Sequence, residues 1–328
     1  MSGPAALVWG GLAISALFAY LAVRHVHFRE VWRALEASNY WWLVPALGAL
    51  VVATVIRAFR WQFLFARETR PPFRPVLSAM LIGLFVNNVL PARAGEAARV
   101  VALNQSTGRP RAEIAGTVVV ERAYDVFSVL VLLFVLVPWL PHVSWLRAAA
   151  ILAIALSVGL LAAAIVLFRY GERPIRFALR PLSRLPFLSL DRTERAAANL
   201  AHGFAGLRRP RLAVLALVLT ISSWFVVGVS AWLLMRGFDL HLSVVAGTLV
   251  MIAVALALIL PSSPAAVGVF EAATLVALRA YDVPSSQALS YALVLHALNF
   301  LPFIAAGVFF VQTHALKLRT RPRGAELG

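Results

Sequence analysis

Apolar runs about as long as a bilayer's hydrocarbon is thick divide the chain at 5–23, 41–56, 75–90, 114–140, 147–168, 212–235, 244–260 and 288–316. A helix rises ~1.5 Å per residue and needs about 20 apolar residues to cross ~30 Å of hydrocarbon, so these runs predict spanning helices. None alternates with the two-residue period of a strand, and the expected fold class is all-α. Two shorter apolar pieces follow breaks, 95–104 after Pro91 and 268–280 after Pro261 and Pro264. Tyr40, Trp41, Trp42, Trp61 and Trp139 stand at run ends, as interfacial anchors do.

Composition agrees with that pattern. Of 328 residues 61% are hydrophobic and 13% charged, with a mean hydropathy of +0.84, too little polar surface for a dispersed soluble domain. There is no cysteine, which excludes disulfides, thiolate metal sites and cysteine nucleophiles. The first run follows no Lys or Arg and lacks a clear small-residue cleavage site, so it reads as a retained span.

The net charge of +16 does not point to nucleic acid, because the arginines fall between apolar runs, where the positive-inside bias puts them. There they also attract anionic head groups, by about 1 kcal/mol per basic residue. The segment 169–211 holds ten arginines against Glu172, Asp191 and Glu194 and is expected on the cytoplasmic side. Within it Arg169, Arg173, Arg176, Arg180 and Arg184 recur every three or four residues, fitting either an amphipathic helix on the membrane surface or a solvated basic linker. The basic tail 317–323 is expected on the same side. Arg57, Arg60, Arg67, Arg70 and Arg74 call for the cytoplasm, as do Arg109 and Arg111.

Both ends of 75–111 therefore want one side, which is met if 75–104 enters, breaks at Pro91 and turns back. The later stretch 244–281 then begins and ends on the other side, although two full crossings also satisfy its parity. Arg24, Arg29 and Arg33 strain the scheme by falling outside. The expectation is one integral membrane domain over 1–328, with about six full spans plus two broken or re-entrant helical hairpins in inverted-repeat arrangement. The first half is 1–168 with hairpin 75–104; the basic segment 169–211 joins it to a second half, 212–328, with hairpin 244–281.

The two breaks resemble each other: LPARAGE (90–96) and LPSSPAAVGVFE (260–271) both leave an apolar limb at Leu-Pro and reach a glycine and a glutamate. Pro91, Gly95, Pro261, Pro264 and Gly268 are the structural breaks. Paired interrupted segments of opposite orientation point to a transporter site near the midplane.

A charge facing lipid costs several kcal/mol, so ionisable groups at that depth pair or line a wet cavity. Glu96 and Arg99, at i, i+3, suit a pair on one helical face, leaving Arg93 for another partner or an anionic ligand. Glu121 and Asp125 share a face, and like charges in low dielectric favour a retained proton unless an arginine reaches them. Glu271 has no arginine nearby in sequence until Arg279, which marks it as functional, whereas His296 reads as a hydrogen-bonded packing residue beside Asn299. Asn87 and Asn88 line a cavity or join helices. Arg57 and Arg60 read as snorkelling anchors that also extend a head-group site. A salt-bridged brace is the bland reading for each cluster.

No nucleophile elbow, zincin, Walker or dinucleotide motif occurs, and the seven histidines lack ligand spacing; no enzyme activity, cofactor or metal is expected.

The residues NNVLPARAGEAAR, then ERAYD, then LPSSPAAVGVFEAA, in that order, resemble the lysylphosphatidylglycerol synthase transmembrane-domain family, also called flippase-like integral membrane proteins. Asn88, Pro91, Arg93, Gly95, Glu96 and Arg99 fit its first motif, Glu121, Arg122 and Asp125 the second, and Pro261, Pro264, Gly268 and Glu271 the third. Where the family often has glycine this chain has Ala92, Ala265 and Ala266, so extreme backbone dihedrals are not expected there. The resemblance implies a multi-pass protein of the bacterial inner membrane that moves lipids between leaflets. Membrane lipids, anionic or phosphate-bearing, are the expected partners, with a lipid synthase a candidate protein partner and nucleic acid none. Arg93, Arg99, Arg122, Asn88 and Arg57 would hold the head group, and Glu96, Glu121, Asp125 and Glu271 would line the cavity or relay charge. The alternatives are an accessory subunit of envelope lipid synthesis and an intramembrane lipid-phosphate enzyme.

Overall fold

A computed structural model describes residues 16–21, 26–90, 94–141, 151, 155, 159, 210–259 and 263–320. Pro91, Arg93, Pro261 and most of 147–211 lie outside them. The described helices are α1 (Phe28–Glu36), α2 (Leu43–Leu64), α3 (Phe73–Val89), α4 (Ala94–Thr107), α5 (Arg111–Leu136), α6 (Pro210–Gly237), α7 (Val244–Ala257), α8 (Val269–Arg279) and α9 (Ser285–Thr320). No strand occurs among the described residues.

Helix ends fall where backbone chemistry puts them. Leu90 precedes Pro91 and is extended (φ −105, ψ 144), the conformation a following proline ring enforces, so α3 stops there. Gly108 ends α4 in the left-handed region (φ 71), its N–H returning to Asn104 O. Pro110 and Pro72 sit just outside the first turns of α5 and α3, where a missing N–H costs nothing.

Among the described residues three stretches are long and apolar enough to cross a membrane, Tyr40–Leu64, Arg211–Gly237 and Ser285–Gln312. At 26 residues α5 rises ~39 Å and has the length, but it carries charges in its middle. By contrast α3 and α4, of 17 and 14 residues, rise only ~26 and ~21 Å. They form an antiparallel hairpin that is closest at Gly83 and Gly95. A Cβ on Gly95 would collide with Gly83 O and stand 2.6 Å from the Asn87 side chain, so only glycine allows this crossing. Asn87 Oδ1 then accepts from Gly95 N at 2.8 Å, satisfying a donor of the first turn of α4.

Cross-helix contacts fix the direction of each element. Ser230 donates to Ala46 O, while Arg60 reaches Thr220, so α2 and α6 are antiparallel. Trp61 Nε1 donates to Thr117 Oγ1 and Arg60 also meets Asp125, so α5 runs against α2 as well. The ends at Leu64, Arg111 and Pro210 thus share one end of the bundle, and the base of the α3–α4 hairpin joins them through its short flanking links. The other end collects Asn39, bonded to Gly237 O, and the start of α9, whose Gln287 donates to Phe238 O. The α7–α8 pair starts and finishes at this second end. The two interrupted pairs therefore have their bases at opposite ends.

The larger apolar core is built from α2, α5, α6, α7, α8 and α9, and a smaller one from α2, α3, α4 and α5. Exposed Tyr40, Trp41 and Trp139 ring the second end as an aromatic belt. Trp61 does not join such a belt: it is fully buried at a helix crossing. Arg29 and Arg33 on α1 remain at the second end, against the charge rule, because α1 is held by α9 through Ser290 Oγ donating to Val31 O.

Candidate functional site

The interior of the second and fifth helices supplies most of the site. The apolar run expected to end at 56 continues as helix to Leu64, so Arg57 and Arg60 lie within α2, one turn apart. Neither snorkels to an interface as expected. Arg60 is fully buried, and its Nη1 donates to Asp125 Oδ1 at 2.5 Å and Thr220 Oγ1 at 3.1 Å. Its Nη2 stands 2.9 Å from Glu121 Oε1. Glu121 and Asp125 occupy adjacent turns of α5, ten and fourteen residues from its start, about 15–21 Å along the helix.

Arg99 approaches from α4, placed by the Gly83–Gly95 crossing. Its Nη1 donates to both carboxylate oxygens of Glu121, at 3.1 and 3.0 Å, and its guanidinium lies 4.9 Å from the Trp61 ring centroid. Arg122 closes the outer side, contacting Glu96 at 3.4 Å, Glu121 at 3.3 Å and Asp125 at 3.6 Å. The ion pairs thus run between helices, and the i, i+3 pairing of Glu96 with Arg99 does not form: Glu96 goes to Arg122 and Arg99 to Glu121. Glu121 and Asp125 meet three guanidinium groups, which offsets the like-charge repulsion that would have favoured a retained proton.

The cluster has a dry end and a wet end. The side chains of Arg60 and Glu121 are 0% and 3% exposed, whereas those of Arg122 and Glu96 are 45% and 30% exposed. Over the described residues its charges do not cancel. Arg57, Arg60, Arg99 and Arg122 give +4 and Glu96, Glu121 and Asp125 give −3, leaving one positive charge. Arg57 carries the excess: its guanidinium stacks 4.9 Å from the Trp224 ring centroid, and no hydrogen bond or ion pair joins it to a carboxylate among the described residues. Donors also outnumber acceptors, since Arg57 Nε, Arg60 Nε, Arg99 Nε and Arg99 Nη2 are buried without a hydrogen-bond partner. The Nε–Nη2 edge of Arg99 is the edge that grips carboxylate or phosphate oxygens in pairs. Asn88 Nδ2 is a further buried donor without an acceptor.

Glu271 is not isolated, as its sequence surroundings suggested. On the first turn of α8, its Oε2 accepts from Gly268 N at 2.7 Å, and its Oε1 faces His296 Nδ1 at 2.6 Å. His296, on α9, also places Nε2 2.9 Å from Ala265 O and stacks on Phe270 at 4.4 Å. Asn299 turns away and donates to Leu295 O. Ala265 and Ala266 adopt φ of 63 and 56 and Gly268 φ of 84, so the unusual dihedrals not expected at the two alanines are present. Each left-handed alanine costs about 1–2 kcal/mol, and the contacts of His296 with Ala265 O and Glu271 hold the turn in place. The short turn Pro264–Ala266 packs on α3, so the two breaks touch.

Of the residues singled out in the sequence, Arg99, Arg122, Arg57, Glu96, Glu121 and Asp125 converge at one place, while Glu271 with Gly268 forms a second centre. Arg60, expected only at the edge of a head-group site, joins its buried centre, and Thr220, Trp224 and His296 join these centres without having been assigned to them. Two arginines one turn apart inside an apolar run were the available signal for Arg60. No group of three or more metal-ligating side chains occurs among the described residues.

Comparison with known proteins finds membrane proteins among the relatives of this chain. A UPF0104 membrane protein of Methanocaldococcus jannaschii, MJ1078, is 23% identical over 239 residues, covering 71% of this chain and 97% of that protein. A second from the same organism, MJ1595, is 22% identical over 300 residues, covering 86% of this chain and 88% of its own. The family profile described as the lysylphosphatidylglycerol synthase TM region matches residues 8–307, and the chain belongs to that family of membrane proteins.

Proposed function

We propose that the protein is a flippase that moves a phosphate-bearing lipid between the leaflets of the cytoplasmic membrane, with its C-terminus in the cytoplasm. The carrying observation is the charge cluster held between apolar helices, one positive charge in excess among the described residues and short of acceptors. Guanidinium groups desolvated without partners are costly in any fold, and an anionic head group supplies both the missing charge and the missing oxygens. Opposite bases for the two interrupted pairs favour an inverted-repeat reading, in which α3–α4 and α7–α8 are re-entrant hairpins meeting at the site. The binding energy expected of such a site is electrostatic and needs no chemistry on the lipid, so no enzyme activity is proposed.

The mutual pairing of Arg60, Arg99 and Arg122 with Glu121 and Asp125 favours a second reading, an accessory subunit whose cluster only braces the bundle. Purified protein in phosphatidylcholine vesicles separates the two. Head-group-labelled phosphatidylglycerol in the inner leaflet becomes accessible to an external quencher when it is flipped. Faster loss of signal than in protein-free vesicles supports the flippase; equal rates with folded protein support the brace.

A further inference from the structure

The second break is held by a hydrogen-bond chain that requires an extra proton. Ala265 O is a carbonyl and only accepts, so His296 Nε2, 2.9 Å away, must carry a hydrogen. A neutral imidazole has just that one N–H. The remaining contact, 2.6 Å between Nδ1 and Glu271 Oε1, then needs a second hydrogen, on the imidazole as an ion pair or on the carboxyl as a neutral pair. Without it two lone pairs face each other at hydrogen-bond distance, or the Ala265 carbonyl loses its donor. The other carboxylate oxygen is already committed to Gly268 N.

Among the described residues of the elements packed against the pair, nothing else carries the charge. Within α7 there is no ionisable residue; α3 has only Arg74 in its first turn, at the opposite end of the bundle; α8 has Arg279 at its far end. Apart from Glu271, the described partners of His296 are Ala265 O and the aromatic rings of Phe270 and Phe300. Removing the shared proton therefore leaves an uncompensated negative charge in an apolar pocket, and the closed turn cannot keep it.

We propose that Glu271 and His296 form a proton-binding site whose single exchangeable proton holds the second break closed against the first hairpin. Protonation locks the left-handed turn at Ala265 and Ala266. Loss of the proton releases it, freeing the first turn of α8 and the contact between 264–266 and α3. By linkage, whatever opens the turn lowers the affinity for the proton by the same factor that deprotonation favours opening. The site stands independently of the lipid-moving reading; only its role as the coupling ion for transport rests on that reading.

The test uses the absence of cysteine. A spin label on the exposed position Val267, introduced as Val267→Cys in the full chain in phosphatidylcholine vesicles, reports the mobility of the turn. Between pH 5 and pH 9 the mobile fraction is expected to rise at least threefold with a one-proton slope, and the ¹⁵N shifts of His296 in the otherwise unaltered protein to move with the same midpoint. His296→Phe is expected to be mobile at both pH values, and Glu271→Gln, whose amide oxygen can accept from Gly268 N while its NH2 donates to Nδ1, to be immobile at both. In the unaltered protein a turn equally immobile at pH 5 and 9, or a transition that keeps its midpoint in both variants, overturns the proposal. If the variants do not fold, the ¹⁵N titration decides: a His296 whose shifts do not follow the label overturns it too. A normal transition in protein that moves no lipid at any pH supports the proton site while refuting the flippase.

Discussion

The two breaks solve the problem of a charge at membrane depth in different ways. At the first, seven ionisable side chains from three helices, α2, α4 and α5, with the polar groups of α6 beside them, share charge through many pairs and still leave one guanidinium over. At the second, one carboxylate and one imidazole hold a strained turn directly, with a shared proton where the first site has arginines. A network with surplus donors is suited to an arriving anion. A pair balanced by a single proton is suited to switching. Within the first break the same contrast recurs between neighbours: Arg60 is paired with two carboxylates and Thr220, and Arg57, one turn away, meets an aromatic face and no described carboxylate.

That contrast can be broken by substitution, and the largest effect is expected at Arg60. Arg60→Met strips Asp125 of its shortest contact and Glu121 of one of three, so it should destabilise the protein by about 3–5 kcal/mol, read as a large drop in thermal unfolding temperature in detergent. Next is the hairpin crossing. Gly95→Val pushes a side chain into Gly83 O and Asn87, and should cost at least about 1–3 kcal/mol and displace Arg99, measurable as lost stability and altered spacing between labels on α3 and α4. Arg57→Gln, by contrast, leaves no described carboxylate without a partner and should change stability by less than about 1 kcal/mol in the same assay. Equal losses for Arg57 and Arg60 would erase the distinction between a bound and a free cation. Smallest is Ala265→Gly. Relief of a left-handed alanine, about 1–2 kcal/mol, is partly offset by the added freedom of glycine in the unfolded chain, for a net gain of roughly 0.5 kcal/mol.

How much of this was legible before the structure follows from the range of the forces involved. Local backbone chemistry was readable: Pro91 stops α3 by forcing Leu90 to extend, and the short limbs on either side of it had to turn back because charge required both ends on one side. The face shared by Glu121 and Asp125 was readable from i, i+4 spacing, as was an arginine answering them, since Arg99 does pair with Glu121. Cross-helix partners were not. Arg60 was assigned to an interface because hydropathy falls at 57, whereas Thr220 and Asp125 let the helix carry it on through the core. The partner of Glu271 lies 25 residues away on another helix, beyond any local pattern. The left-handed alanines were unreadable for the same reason: propensity argues against them, and tertiary contacts from His296 and α3 override it. Residues 169–209, whose basic periodicity fits either a surface helix or a solvated linker, lie outside the described residues.

The central claim is that the surplus cation at the first break receives a lipid phosphate. The most direct measurement is the translocation rate of labelled phosphatidylglycerol in vesicles containing Arg57→Gln protein, beside the unaltered protein and with folding verified in both. At least a tenfold slower rate at unchanged stability is predicted, because the substitution removes the one cation that no described carboxylate holds. An unchanged rate would contradict the account and return the cluster to the role of a brace.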